Sequence, residues 1–302
     1  PEGSFHLDPE QQAIVSSCPP LLLESRSGTG KTNVLFQHAI SLSQELVEDT
    51  GSMPLAFITV SKLLRSQLEK MYSEIKNINK AALQSCIFMS LSDLLDGLAK
   101  RMDINMDIST ITSFKEYAFQ RKSHASLPVS LALVENEIGG VILGSLRSAE
   151  LRRPLNWDEY KDDRRSNVTN KDGAGSIARR VIYDQYEFYD QWKRDCDRFD
   201  INDVVLELLK KVGCKKHQIF SGVYLDEIQD FSYAMIYLIC SIGGTSKLRW
   251  VFAGDTAQMI SPGCSFKFSG LKQTLLSVRP GIEPYLKQVA HLLVNYRTTK
   301  DV

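Results

Sequence analysis

The chain lacks the features that would assign it to a membrane or a secreted protein. None of its 302 residues belongs to an apolar run of the roughly 18–20 residues that cross a bilayer, and the opening PEGSFHLDPE has neither the basic nor the apolar region of a signal peptide. Its six cysteines are widely separated and form no CxxC pair, which argues against a disulfide framework. We therefore expect an intracellular protein in a reducing compartment, either nucleus or cytoplasm, without a membrane partner.

An excess of charge of either sign is also missing. Lys and Arg number 36, Asp and Glu number 36, and the formal net charge is zero. Without an overall basic field, any contact with nucleic acid must be local. The hydrophobic fraction of 43% and the charged fraction of 24% are ordinary for a globular protein.

Short apolar runs alternate with segments of helical periodicity, which predicts an α/β fold with a parallel sheet and helices on both faces. The predicted strands are Leu21–Ser25, Leu55–Val60, Ser85–Ser90, Gly222–Asp226, Leu248–Gly254 and His291–Asn295. Strand patterns stop between residues 101 and 200, where helix-like segments take over. This predicts an inserted helical subdomain, with residues 1–100 and 201–302 forming the α/β domain.

A Walker A loop, SRSGTGKT, joins the first predicted strand to an amphipathic helix. Glycines let backbone N–H groups turn toward phosphates, a lysine reaches the β- and γ-phosphates, and a hydroxyl binds Mg²⁺, all at a helix amino terminus that favours anions. Ser25 stands where the pattern's first glycine would be. Lys31 is expected on the solvent side of the loop. A glycine-rich turn capped by Thr is the alternative. The expected ATP-contacting residues are Ser27, Gly28, Thr29, Gly30, Lys31 and Thr32.

Carboxylates follow a second apolar strand in GVYLDEIQD. Asp226 is expected to share the Mg²⁺ with Thr32, and Glu227 to polarise the attacking water as general base. A third strand, LRWVFAGD, brings Asp255 and then Gln258 to the sheet edge where ligands of such folds bind. Gln258 is expected to sense the γ-phosphate. The alternatives are unpaired surface carboxylates and an ordinary turn at the strand end.

Six segments in order resemble the motifs of the UvrD/Rep-like superfamily 1 helicases: LDPEQQ, SRSGTGKT, FITVSK, LDEIQD, AGDTAQ and LLVNYRT. The helical stretch from 101 to 200 matches the place where that family inserts an accessory subdomain. Within the family, RSGTGKT, DEIQD and FKFSGL most resemble the eukaryotic branch found in large TPR and ankyrin repeat-containing proteins. The resemblance implies a RecA-like P-loop NTPase domain with ATP and Mg²⁺ as cofactors.

The resemblance also implies roles for single residues. Gln11 would read the adenine edge, with Gln12 as the alternative. Gln258 would couple the γ-phosphate to movement. Tyr296 would stack on adenine, and Arg297 would act as an arginine finger, because a planar guanidinium neutralises charge on the γ-phosphate in the transition state.

Two departures concern the nucleic-acid contacts. Where the family has TFTN, this chain has TVSK, so Thr59 and Ser61 are the candidate contacts and Val60 replaces an aromatic residue. After Gln258 the family's stacking aromatics are absent, and Phe266 or Phe268 is expected to substitute. Stacking on one aromatic ring contributes about 1–3 kcal/mol per base, so losing one weakens strand binding.

These inferences predict the ATP-binding half of a helicase or translocase, an ATPase that moves on single-stranded DNA or RNA. The chain does not begin with Met and stops after an apolar segment, so we expect a piece of a longer protein, whose second RecA-like domain lies outside this chain. This chain alone should bind single-stranded nucleic acid weakly. One alternative is a nucleotide-binding interaction or switch module in a large repeat scaffold, without helicase activity. An unrelated P-loop kinase or signalling NTPase would not explain the ordered motifs.

Overall fold

The structure is a computed structural model, and it describes residues 7–46, 53–75, 85–121, 129–163, 168, 174–213, 218–244, 247–255, 266–286 and 289–295. Within these ranges the strands form one parallel sheet in the order β3-β2-β4-β5-β1-β6. Its strands are β1 Leu21–Ser25, β2 Leu55–Thr59, β3 Cys86–Ser90, β4 Gly222–Leu225, β5 Trp250–Gly254 and β6 Ala290–Leu292. The α/β class is confirmed, and a strand is present at each of the six expected places. The last one differs most in its bounds, because β6 ends at Leu292 and not at the expected Asn295.

Helices connect the strands and cover the sheet. The α-helices are α1 Pro9–Val15, α2 Lys31–Leu46, α3 Lys62–Ser73, α4 Leu91–Arg101, α5 Phe114–Arg121, α6 Leu131–Asn136, α7 Leu146–Leu151, α8 Trp157–Lys161, α9 Ala174–Asp195, α10 Ile201–Val212, α11 Tyr233–Ile242 and α12 Phe268–Val278. Single 3-10 turns are Ile108–Thr110, Ile228–Asp230 and Glu283–Tyr285, and Glu137–Ile142 is a π-helical turn. None of the helices in the described ranges is long and apolar enough to cross a membrane.

Both faces of the sheet are buried, which explains why its strands are continuously apolar. Alternate side chains point to opposite faces. On one face Leu23 and Phe57 belong to a buried cluster with residues of α1, α2 and α3. On the other face Leu22 and Ile58 belong to a cluster that continues into the helices between residues 101 and 200.

The described part of the 101–200 region is helical. Helix α9 carries a stripe of buried aromatic side chains, Tyr183, Tyr186, Tyr189 and Trp192, at a spacing of three residues. These rings belong to the same buried cluster as residues of the sheet, so the described helices of this region share one apolar core with the sheet. The boundaries 1–100, 101–200 and 201–302 stay a prediction.

A buried charge cluster joins α9 to α10. The Nζ of Lys193 lies 2.9 Å from Oδ2 of Asp200 and 2.5 Å from Oδ2 of Asp203. Burial opposes the charge on Lys193, but the two carboxylates outweigh it and raise the pKa of the ammonium. Asp200 also caps α10 by accepting hydrogen bonds from the backbone N–H groups of Asn202 and Asp203. The start of α10 is thus held by the preceding helix.

Candidate nucleotide-binding site

The phosphate loop runs from the end of β1 to the start of α2. Gly28 and Gly30 have φ angles of 85° and 82°, a left-handed conformation that favours glycine. The Thr29 hydroxyl donates to the carbonyl oxygen of Arg26 at 2.9 Å and closes the turn. Because α2 begins at Lys31, the unpaired N–H groups of its first turn and its dipole face the loop. This geometry suits an anion such as a triphosphate.

Gln11 lies against this loop. Its Nε2 donates to the carbonyl oxygen of Thr29 at 3.1 Å, and its Oε1 accepts from the backbone N–H of Asp8 at 3.1 Å. A Cβ on Gly30 would lie only 2.8 Å from Nε2, so a glycine there allows this contact. The residue expected to read adenine is therefore next to the loop, but both of its amide atoms are bonded within the chain. The alternative, Gln12, is exposed.

Lys31 is 5% exposed, so the expectation that it lies on the solvent side of the loop is wrong. The physical reason is an ion pair, since its Nζ lies 3.2 Å from Oε2 of Glu227. Glu227 follows β4 with φ 53° and ψ 50°, a conformation that few residues other than glycine adopt. Such backbone strain is often found at functional sites. The cation of the loop and the expected general base thus meet across the strand ends.

Asp226 is fully buried at the end of β4. Its Oδ2 accepts a hydrogen bond from the Thr32 hydroxyl at 2.6 Å, and its Oδ1 accepts one from the backbone N–H of Glu227 at 3.0 Å. Burial raises the pKa of Asp226 to about 6, although the Thr32 hydrogen bond lowers it. A hydroxyl beside a carboxylate is the oxygen donor pair that Mg²⁺ prefers. These two residues therefore fit a shared Mg²⁺.

A hydrogen-bonded chain links the ends of β1, β5 and β4. Asp255 follows β5, and its Oδ2 accepts from the backbone N–H of Ser27 at 2.8 Å. The backbone N–H of Asp255 donates to Oε1 of Gln229 at 3.0 Å. Nε2 of Gln229 in turn donates to Oε2 of Glu227 at 2.8 Å. Sequence reasoning missed Gln229. The available signal was its position in DEIQD, two residues after Glu227.

Gln258, Tyr296 and Arg297 lie outside the described residues, and their roles stay predictions. Asn295, which precedes Tyr296, lies close to the loop. Its Nδ2 donates to the carbonyl oxygen of Ser27 at 3.3 Å. The segment after β6 therefore starts beside the phosphate loop.

Thr59 and Ser61, which were expected to contact single-stranded nucleic acid, differ in exposure. Thr59 is 2% exposed, and its Oγ1 accepts from the backbone N–H of Ser61 at 3.3 Å. Ser61 is exposed and caps α3 by accepting from the backbone N–H of Leu64. Val60 and Leu63 are 46% and 70% exposed. This surface offers aliphatic side chains and a hydroxyl, not an aromatic ring.

Phe266 and Phe268 do not form the expected stacking surface. They are 4% and 8% exposed. Phe266 stacks on Tyr233 of α11 at 6.0 Å between ring centroids, and Phe268 meets Phe266 edge-on at 5.5 Å. The expectation is corrected here because both rings pack against each other and α11, so neither is presented to a base in this arrangement.

Comparison with known proteins adds a family and a relative. The family model described as UvrD/REP helicase N-terminal domain matches residues 7–262. The human protein named TPR and ankyrin repeat-containing protein 1 is 27% identical over 202 residues, which cover 64% of this chain and 7% of that protein. The chain therefore spans a small part of this relative. The parallel sheet and the family match together identify a RecA-like P-loop fold.

Proposed function

The chain belongs to the family of UvrD/REP helicase N-terminal domains, and we propose that it is the ATP-binding half of a helicase or translocase. It would carry out Mg²⁺-dependent ATP hydrolysis, coupled in the intact protein to movement on single-stranded DNA or RNA. Residues 1–100 and 201–302 would form the first motor domain, and the second RecA-like domain would lie elsewhere in the same polypeptide.

One observation carries the proposal. Two residues of the phosphate loop each contact one residue of the pair that follows β4: Thr32 bonds to Asp226 at 2.6 Å, and Lys31 pairs with Glu227 at 3.2 Å. These are the groups needed to hold a metal-bound triphosphate and to activate water. An unrelated glycine-rich turn would not require both contacts.

ATP binding would change the partners of these residues. Lys31 would exchange Glu227 for the β- and γ-phosphates, and Glu227 would then be free to take a proton from the attacking water. Thr32 and Asp226 would hold Mg²⁺, which supplies charge neutralisation on the phosphate oxygens. The N–H groups of Gly28, Thr29 and Gly30 would face the phosphates, while the N–H of Ser27 donates to Asp255.

The remaining roles follow from the family. Gln11 would release Thr29 and read adenine, with Tyr296 stacking on the base. Gln258 would sense the γ-phosphate, and Arg297 would neutralise its charge in the transition state. Of the two expected contacts of the single-stranded nucleic acid, Ser61 is exposed and stays the proposed one, whereas Thr59 is buried.

A second candidate is a nucleotide-dependent switch module without helicase activity. It is favoured by the surface around the end of β2, where Val60 and Leu63 are exposed and no aromatic side chain stands in the TVSK segment. Phe266 and Phe268 are buried and do not replace the missing ring. The relative with TPR and ankyrin repeats in its name is compatible with such a scaffold role.

Calorimetric titration with ATP and Mg²⁺ tests the nucleotide site. We expect binding by the parent chain and its loss in Lys31→Ala. The matched control is Lys70→Ala on α3, because the Lys70 side chain is 76% exposed and lies outside the site. Equal affinity of Lys31→Ala and the parent would contradict the proposal. Phosphate release by the intact protein, measured with and without a single-stranded oligonucleotide, then separates the motor from the switch, because only a motor couples hydrolysis to the nucleic acid.

A further inference from the structure

Gln229 bridges the ends of β4 and β5 through its side-chain amide. Its Nε2 donates to Oε2 of Glu227 at 2.8 Å, and its Oε1 accepts from the backbone N–H of Asp255 at 3.0 Å. The residue is 9% exposed. With donor and acceptor both used, the amide has one favourable orientation, because flipping it would place two acceptors or two donors opposite each other.

The backbone of β5 leaves room for this amide. A Cβ on Gly254 would lie 2.8 Å from Oε1 of Gln229 and 2.7 Å from Cγ2 of Ile228. A side chain at position 254 would therefore displace the 3-10 turn that carries Gln229. The close approach is a specific feature of this strand end.

Glu227 has two donors on one oxygen. Oε2 lies 3.2 Å from Nζ of Lys31 and 2.8 Å from Nε2 of Gln229. Toward the rest of the described chain, Oε1 accepts no hydrogen bond. If Lys31 turns to the phosphates, Gln229 is the contact that still holds Oε2. The carboxylate would then keep its orientation and present Oε1 to water.

We propose that Gln229 is a positioning residue for ATP hydrolysis, which acts by holding the Glu227 carboxylate through Nε2 while Asp255 holds Oε1 of the amide. The inference rests on the proposed function, because it requires that Glu227 activates water. Gln229 itself touches neither ATP nor the attacking water. Its contribution is to reduce the number of orientations that Glu227 samples after Lys31 leaves.

Calorimetric ATP binding by this chain, together with single-turnover phosphate release by the intact protein that includes the proposed second RecA-like domain, tests this role. Gln229→Met keeps the length of the side chain but removes both the donor to Glu227 and the acceptor for Asp255. Loss of a hydrogen bond to a charged group predicts a fall in hydrolysis rate of about tenfold to a hundredfold, with ATP affinity changed by less than about twofold. Gln191→Met is the control, because Gln191 is an exposed residue of α9. It should match the parent in rate and affinity.

Combination with Glu227→Gln distinguishes positioning from a general structural role. If Gln229 acts through Glu227, Gln229→Met should have almost no further effect on the rate in the Glu227→Gln background. An equal fall in both backgrounds would overturn the inference, and so would an unchanged rate for Gln229→Met in the parent. Absence of ATP binding by the parent chain would instead overturn the proposed function, and the role of Gln229 with it.

A second variant keeps the inference testable if Gln229→Met does not fold. Gln229→Glu retains an acceptor for Asp255 but places a carboxylate opposite Glu227. Its rate relative to the parent should be low at neutral pH and should rise as the pH falls, because a protonated carboxyl can donate again. A ratio that is independent of pH would contradict the proposed contact.

Discussion

The Lys31 ammonium, at the start of α2, lies 3.2 Å from the carboxylate of Glu227, which follows β4. The pair places the proposed phosphate ligand and the proposed general base in one contact. ATP would therefore have to compete with Glu227 for Lys31. This competition would link nucleotide binding to the release of the proposed general base.

Glu227→Gln should separate binding from hydrolysis. The amide weakens the hold on Lys31, so affinity for ATP should be equal to or higher than that of the parent. Hydrolysis should fall by about 10²–10⁴-fold, the usual contribution of a general base. Calorimetry and phosphate release measure the two effects. Glu207→Gln, at a residue of α10 paired with Lys210, is the control and should change neither. Equal turnover by Glu227→Gln and the parent would remove Glu227 from the mechanism.

Asp226 should make the stability of the nucleotide-free chain depend on pH. Its pKa is raised to about 6, so the folded state favours the protonated form. The contribution of the neutral Asp226 carboxyl to the free energy of unfolding is fully present below its ordinary pKa of 3.8. It is lost as the pH rises through about 6. Asp226→Asn removes the buried charge and should be more stable than the parent near neutral pH, by up to about 3 kcal/mol.

Thermal or denaturant unfolding of the two proteins across this pH range measures the difference. The stability gap should close below about pH 4, where Asp226 is protonated in both states. Asp195→Asn, at an exposed carboxylate of α9, is the control. A gap that is the same at all pH values would contradict the charge explanation. With Mg²⁺ and ATP present the parent should gain stability, because the metal requires the ionised carboxylate.

Gln11 should affect discrimination between nucleotides. If it leaves Thr29 to read adenine, Gln11→Ala should lower ATP affinity by about three- to tenfold and bring it closer to the affinity for GTP. Titration with both nucleotides measures the ratio. Gln12→Ala is the matched control, because Gln12 is the exposed neighbour. An equal loss of ATP and GTP affinity would show that Gln11 only braces the loop through Thr29.

Lys193 should be important for stability and not for nucleotide binding. Lys193→Met leaves Asp200 and Asp203 buried without their cation, which predicts a loss of about 3–5 kcal/mol in the free energy of unfolding. Lys210→Met removes a lysine whose side chain is 52% exposed and paired with Glu207, and should cost less than about 1 kcal/mol. Denaturant unfolding compares the two variants. Similar values for both would contradict the role of the buried cluster.

Local sequence patterns were sufficient for the strands and for the order of the motifs. Both faces of a parallel sheet are covered, so each strand is a short apolar run that can be recognised without knowledge of its neighbours. The GTGKT loop is equally local, because glycines at positions 28 and 30 are required by the backbone angles of the turn itself. The same holds for the carboxylates Asp226 and Glu227, which directly follow a strand.

Contacts between distant segments were decided by the tertiary structure. The burial of Lys31, the bridge made by Gln229, and the packing of Phe266 on Tyr233 each depend on which strand ends and helices come together. The sheet order places β5 between β1 and β4, so Asp255 can contact Ser27 while its backbone binds Gln229. The sequence by itself determined which residues could perform phosphate chemistry. Only the fold decided which of them touch, because partners far apart in the sequence are set by strand pairing and packing, not by local spacing.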